Sequence, residues 1–479
     1  VKHFLAELVL LNTMLRNCKE LLSPALILTV ILWNFWVGPG VIAATAPTIK
    51  WDKTNETITA DVESAKLIKV LQEISTCTGW YIFVEPGVDQ QISVRFSNLS
   101  QKEALPKLIG NLSYALVPKT NSPPWLFVFK NAIKNATEYV RPGNSKSARR
   151  GIIPNELVVS VKPGQSSNLE ALAKSLGATI VSKSDELGLY RLRFSDPDSA
   201  KSAMDLLLSS SAVDTVENNQ WLSAPTDIVP LFYAGSDAMN IPLTPKNTGN
   251  DIIIGLVDTA IQADNPILKN FLLQPISVVN SDGSIANYQG PTHATAMAET
   301  ILKAMTDASG TPVATSVKIL PIDVYGLSDS TTTFDVAIGI AHAVNEGSKL
   351  INLSLGGDSP SQILQNTINK ASSYGVIIVA AAGNTPTSQP VYPAALPEVV
   401  AVTAGNQNGI AWYANKGDFV DAVAPGTSII YYNNGSYIVN GTSVSAATFS
   451  GWIIKNAEAN NISLDTSKQN LLTIYAPKK

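Results

Sequence analysis

The sequence predicts an α/β protein whose C-terminal half forms a doubly wound, mostly parallel sheet, preceded by two small α+β domains. Three observations carry this expectation. Beyond residue 240, short β-branched apolar runs alternate with helical segments, as strands buried on both faces and joined by crossover helices do. Before it, the stretches 57–130 and 153–224 each mix strand and helix signals within the length of one small domain. Between those two lies a polar stretch, 131–152, with Pro142-Gly143 and Arg149-Arg150, which reads as a linker.

Composition narrows the function classes. With 479 residues the chain has length for about three domains of roughly 150 residues. Hydrophobic residues make up 45% and charged residues 15%, which argues against long disordered regions. A net charge of −4 and the lack of a basic stripe exclude nucleic acid as the partner. Two cysteines, Cys18 and Cys77, are too few for a disulfide framework or a zinc site, and Cys77 reads as a small buried hydrophobe. The only histidines are His3, His293 and His342, so any histidine-dependent mechanism must choose among them.

In chain order, residues 1–46 come first. Arg16 and Lys19 precede an apolar run over 21–37, then Gly38-Pro39-Gly40 and small residues follow through Ala46. That order reads as a cleaved signal peptide, with an uncleaved membrane anchor as the alternative. The sequence opens on Val1, and Met14, just ahead of the basic residues, is an alternative start. In 57–130, strands are expected at 58–62, 80–85, 92–96 and 125–129. Leu67, Val70, Leu71 and Ile74 mark one helix face, and Ser100 with Glu103 marks the capped start of a second helix. In 153–224, strands at 156–161, 179–182, 189–194 and 213–216 with helices around 169–176 and 200–208 give a repeated split β-α-β, a ferredoxin-like order.

In 240–479, strands are expected at 252–257, 318–322, 350–355, 376–381 and 399–402, with helices at 293–306, 333–346, 360–374 and 443–457. Ligands of such sheets bind at the carboxyl ends of the strands. Asp258 and Asn384 each follow a strand, and His293 opens a helix. Ser443, in Gly441-Thr442-Ser443, lies at the mouth of another helix, where free backbone N–H groups favour developing negative charge. Each also has a plain reading: a turn or cap for Asp258, a satisfied polar residue for His293, a turn for Gly383-Asn384, ordinary packing for Gly441-Thr442-Ser443. Asp323, after another strand, is the rival carboxylate, and His342, within a helix, reads as structural.

The order Asp, His, Ser along alternating α/β segments resembles that of subtilisin. Val257-Asp258-Thr259, Thr292-His293, Ala381-Ala382-Gly383-Asn384 and Gly441-Thr442-Ser443 match four motifs of the subtilisin-like serine proteases. Ile351-Asn352-Leu353-Ser354-Leu355-Gly356-Gly357, Tyr392-Pro393-Ala394 and Ala424-Pro425-Gly426 match three further landmarks. The resemblance implies a serine endopeptidase acting through an acyl-enzyme, with Asp258, His293 and Ser443 as catalytic triad and Asn384 at the oxyanion. It also implies that Ser354, Leu355 and Gly356 form the edge on which a polypeptide substrate adds as a strand. Residues 153–224 resemble the propeptide of the same family, opening on Pro154-Asn155-Glu156-Leu157 and closing on Val213-Asp214-Thr215-Val216-Glu217. That implies a secreted or periplasmic zymogen inhibited by its own propeptide, with processing expected within 219–245. Residues 57–130 resemble the short N-terminal domain of secretins and TonB-dependent receptors, through Val70-Leu71, Val84-Glu85-Pro86 and Ala104-Leu105. That implies an envelope partner, with a plain spacer as the alternative.

No cofactor is implied by this chemistry. Calcium, often bound in the family, has no oxygen-rich loop here to which it can be assigned. Departures from the family pattern are Ala260, Gly290-Pro291 ahead of Thr292, and Ala447-Thr448 after the serine. The alternative function is a binding protein of the cell envelope whose protease fold is weak or inactive in catalysis.

Overall fold

The computed structural model describes residues 47–88, 90–118, 123–142, 150–223, 228–231, 241–246, 249–280, 290–307, 309–406, 409–433 and 435–477. The expected signal segment, 1–46, with Cys18 and His3, lies outside the described residues, as does Arg149. No helix among the described residues is long and apolar enough to cross a membrane.

The N-terminal unit holds two small sheets and two helices. Thr48–Asp52, Thr57–Lys66 and Gln91–Ser100 pair antiparallel, while a second sheet runs Ser113–Val117, Trp125–Phe129, Tyr81–Val84, Glu138–Val140. The helices Leu67–Thr78 and Gln101–Ile109 bury Val70, Leu71, Ile74, Leu105 and Leu108 in one core with Ile58, Ile82 and Leu126. Glu103 caps the second helix as its spacing predicts, accepting from the Ser100 N–H at 3.2 Å. Cys77 is half-buried rather than buried. The stretch 131–142 differs from the expected linker, for a specific reason. The Glu85 carboxylate accepts from the N–H groups of Lys130 and Asn131 (2.8 and 2.9 Å) and from the Asn131 and Asn135 amides (2.6 and 3.2 Å). Glu138–Val140 then joins the sheet edge beside Tyr81–Val84.

The second unit is ferredoxin-like. Its four antiparallel strands lie in the order Val213–Ser223, Gly151–Val161, Leu189–Arg193, Thr179–Ser184, and the helices Ser166–Ser175 and Pro197–Leu208 share their core. The last strand continues seven residues past its expected end at 216. Polar residues there do not read as a strand, because what holds them is tertiary. Asn219 donates to Glu156 at 3.0 Å, and its carbonyl oxygen accepts from the Thr333 hydroxyl at 3.1 Å. Trp221, Leu222 and Ser223 pair with Thr332, Thr331 and Ser330 of the C-terminal unit.

In the C-terminal unit the central sheet runs Ile276–Ser277, Val317–Asp323, Ile252–Asp258, Leu350–Leu353, Ile377–Ala381, Val399–Asn406. All of these pairs are parallel. Successive residues face opposite layers. Ile254, Leu256 and Val379 join the helices His293–Ala304 and Thr442–Asn460, whereas Val257, Ile351 and Ile378 join the helices Thr333–Asn345 and Gln362–Ser373. The expected doubly wound sheet is therefore the observed one. The helices beginning at His293 and Thr442 cross closely because Gly451 has no side chain: a Cβ there would lie 2.5 Å from the Ile301 carbonyl oxygen. Features not anticipated include the helix Leu464–Tyr475, the hairpin Thr427–Tyr432/Gly435–Asn440, and the strand Ile228–Leu231 on that hairpin's edge.

Candidate active site

Asp258 ends the strand Ile252–Asp258, which lies between two parallel neighbours, so its carboxylate sits at the carboxyl edge of the sheet. His293 opens its helix behind Thr292, whose hydroxyl accepts from the Thr295 N–H at 3.3 Å. The imidazole Nδ1 lies 2.8 and 2.9 Å from the two Asp258 oxygens, with both side chains buried. A carboxylate only accepts, so Nδ1 carries the proton and Nε2 of the neutral ring presents a lone pair. Nε2 is buried and has no hydrogen-bond partner among the described residues.

Thr259 fixes this pair from below. Its N–H donates to Asp258 at 2.6 Å, and its hydroxyl accepts from the Ala294 N–H at 3.0 Å. The departure at Pro291 costs no helix bond, because Pro291 precedes the N-cap. Gln262 grips that turn on both sides, donating to the Gly290 carbonyl at 2.6 Å and accepting from the Thr292 N–H at 3.1 Å.

Ser443 is the second residue of its helix, behind Gly441 at φ +149, a conformation that favours glycine. A Cβ at Gly441 would also lie 2.9 Å from Asn384 Nδ2. Asn384 Oδ1 accepts from the Thr442 N–H at 2.8 Å, and the Thr442 hydroxyl accepts from the Gly383 N–H at 3.0 Å. Asn384 Nδ2 is left buried at this helix start, without a partner among the described residues. The Ser443 hydroxyl donates to the Ser354 carbonyl at 3.3 Å. Ser354 in turn donates from its own hydroxyl to the Ser443 carbonyl at 3.2 Å. Beneath them Asn352 donates to the Ser354 hydroxyl at 2.8 Å and accepts from Ser450 at 3.1 Å. Asn352 and Ser450 were not anticipated; the available signal was a polar side chain in the middle of a buried apolar strand.

The remaining candidates separate. Asp323 stands beside Asp258 in register, but its Oδ1 accepts from the N–H groups of Tyr325 and Gly326 (3.0 and 2.9 Å), holding the turn after its own strand. Burial pushes its carboxyl above the usual range, and the neighbouring Asp258 adds to the shift. His342 is half-buried in the last turn of the helix Thr333–Asn345. Of the expected edge residues, Ser354 and Leu355 are buried inward, and among the described residues Gly356 alone pairs with another segment. Gly356 and Ser223 exchange backbone hydrogen bonds of 3.0 Å in each direction. Val391 stands between this edge and the Asn384 turn: its methyls lie 2.8 Å from where a Gly356 Cβ would be and 3.3 Å from where a Gly383 Cβ would be. Among the described residues no group of three His, Cys, Asp or Glu side chains could hold a metal ion.

Comparison with known proteins adds identity to this geometry. Residues 249–474 match the subtilase family, and residues 141–219 match the fervidolysin N-terminal prodomain. The chain is 34% identical to thermitase from Thermoactinomyces vulgaris over 207 residues, 42% of this chain and 74% of thermitase. It is 32% identical to subtilisin Savinase from Lederbergia lenta, over 47% of this chain and 85% of that protein. Among solved structures, fervidolysin from Fervidobacterium pennivorans superposes with a TM-score of 0.52 at 19% identity, over 67% of this chain and 56% of that one. A mutant form of the epidermin leader peptide processing serine protease from Staphylococcus aureus gives 0.52 at 20% identity, over 67% of this chain and 93% of that one. At these identities the two structures speak for the fold. The chain belongs to the subtilase family and is a serine endopeptidase with a fervidolysin-type prodomain ahead of its catalytic domain.

Proposed function

We propose that the chain is an exported zymogen that hydrolyses peptide bonds with Asp258, His293 and Ser443 as its triad. The observation that supports this most is the pair of buried groups, His293 Nε2 and Asn384 Nδ2, that have no partner among the described residues. A buried polar atom without a partner is costly, and these two are the proton acceptor and the hydrogen-bond donor that acyl transfer needs. In the reaction the Ser443 hydroxyl leaves the Ser354 carbonyl and passes its proton to Nε2. Its oxygen then attacks the substrate carbonyl, and Asp258 holds the imidazolium that forms. The Asn384 amide and the Ser443 N–H receive the oxyanion. His293 then returns the proton to the leaving amine, and water releases the acyl-enzyme by the same route.

The prodomain acts as intramolecular inhibitor. Its last strand ends on Gly356, the edge on which a polypeptide substrate adds. Five residues after Ser223, Ile228 pairs with Val439, just ahead of Asn440-Gly441-Thr442-Ser443. The chain therefore meets the catalytic unit on both sides of Ser443, and the bond cut in maturation lies within 223–228. Val391 narrows the pocket for the residue before the cut and favours small or medium side chains. Export rests on the segment 1–46, delivering the enzyme outside the cytoplasm. The test is Ser443→Ala in the full chain: the precursor accumulates uncut and peptide hydrolysis vanishes. Persistent cutting would refute the reading.

A further inference from the structure

The N-terminal α+β unit stands outside the site described so far, yet one of its faces reaches it. In the strands Tyr81–Val84 and Trp125–Phe129, Ile82, Val84, Leu126 and Val128 point to the unit's own helices. The alternate residues point the other way, and there Phe83, Trp125 and Tyr139 form a patch, with ring centroids 5.2 Å apart for Phe83–Trp125 and 5.6 Å for Phe83–Tyr139. The unit's helices do not cover this patch. Val229 and Ile438 do, in one buried cluster with the three rings. Val229 and Ile438 are direct cross-strand partners, the first in Ile228–Leu231 and the second in the hairpin strand that leads into Gly441-Thr442-Ser443. The patch is thus seated on the edge that receives the residues following the cut bond.

We infer that the N-terminal unit is a protein-binding module whose partner is the primed-side edge of this chain's own active site. The released segment ahead of the cut therefore grips the endopeptidase at two places. The ferredoxin-like module holds the side before the cut through Gly356, and the aromatic face holds the side after it through the Val229/Ile438 pair. Cutting the chain severs the covalent link between this segment and the endopeptidase and loosens neither grip. Because the two grips share one polypeptide, rebinding of either is intramolecular, and joint retention exceeds that of one grip by about 100- to 10,000-fold. This inference rests on the proposed maturation and adds to it a second lock that must also open.

The test uses the full-length chain, with junction cutting followed on a gel and activity followed on an internally quenched peptide extended on both sides of its cleavage site. In Trp125→Ala and in Val229→Ala the junction is cut and the lag before peptide hydrolysis shortens at least about tenfold. The double variant shows no further shortening, because both substitutions remove one contact. Lags equal to wild type in both single variants overturn the inference, as does a double variant whose shortening is the product of the two. In the uncut Ser443→Ala chain, amide hydrogen exchange at 435–440 rises when Trp125→Ala is added. Unchanged exchange there also overturns it, whether or not Ser443 is the nucleophile. Failure of the maturation reading would show separately, as an uncut junction in the wild-type chain, and failure of the triad reading as a junction still cut in Ser443→Ala.

Discussion

Replacing Asn384 by alanine removes two groups with different tasks, and the structure lets their effects be separated. Asn384 Oδ1 accepts from the Thr442 N–H at 2.8 Å, satisfying one of the free donors at the helix start. Leaving that buried N–H unpaired costs about 1–3 kcal/mol of stability. Asn384 Nδ2 has no partner among the described residues, so on the proposed oxyanion role its loss should fall on the transition state alone. Removal of such a donor in subtilisin itself lowers kcat by about 100- to 1000-fold, about 3–4 kcal/mol. Asn384→Ala should therefore lower kcat by that factor with KM nearly unchanged, and lower the melting temperature as well. Asn384→Asp keeps the acceptor for Thr442 and sets a negative charge against the oxyanion. It should melt closer to wild type and lose at least as much turnover. The assay is kcat and KM on a quenched peptide together with thermal melting in the Ser443→Ala background. A kcat within about threefold of wild type for Asn384→Ala would contradict the oxyanion assignment.

Three further outcomes follow from named contacts. Gly441→Ala places a Cβ 2.9 Å from Asn384 Nδ2 at φ +149, so turnover and melting temperature should both fall, and a variant matching wild type in both would show that this turn carries neither role. Burial pushes the Glu138 carboxyl from 4.5 to about 7, so the folded state keeps a proton that the unfolded chain releases. Its stability penalty is absent below pH 4.5, grows as pH rises from there, and levels off above pH 7 at about 3 kcal/mol, while Glu138→Gln should lack it. Denaturant unfolding of both proteins in the Ser443→Ala background, below, within and above that window, reads the difference; parallel pH dependences would refute it. Val391→Ala should extend cleavage to large aromatic side chains ahead of the cut, and a wild-type preference for such residues in a peptide library would remove the pocket hypothesis.

The parallel sheet was legible because its strands are buried on both faces and so read as unbroken apolar runs, as in Ile252–Asp258. The candidate residues were legible because sheet geometry places them just past such runs, and because Thr292 and Gly441 mark the helix starts beside them. Long-range pairing was hidden. Ile228–Leu231 is four residues long, and its partner is more than two hundred residues away. Residues 217–223 read as polar and irregular, and become a strand only through Glu156 and Thr333. Glu138–Val140 looked like linker because the anchor that holds its approach, Glu85, acts across 45 to 50 residues of chain. The expected edge 354–356 reduces to the backbone of Gly356, since Ser354 turns inward to Asn352 and Ser443. Side-chain alternation in a strand shows which residues face a core, and leaves open which polar partner waits there.

The most direct test is covalent. Wild-type protein, matured and treated with a fluorophosphonate, is digested and the phosphonylated residue located by mass spectrometry. One adduct, on Ser443, lost in His293→Ala and retained when Asp323→Asn is made instead, is the predicted result. An unlabelled Ser443 in protein that cleaves peptides, or an adduct on another residue, would contradict the triad.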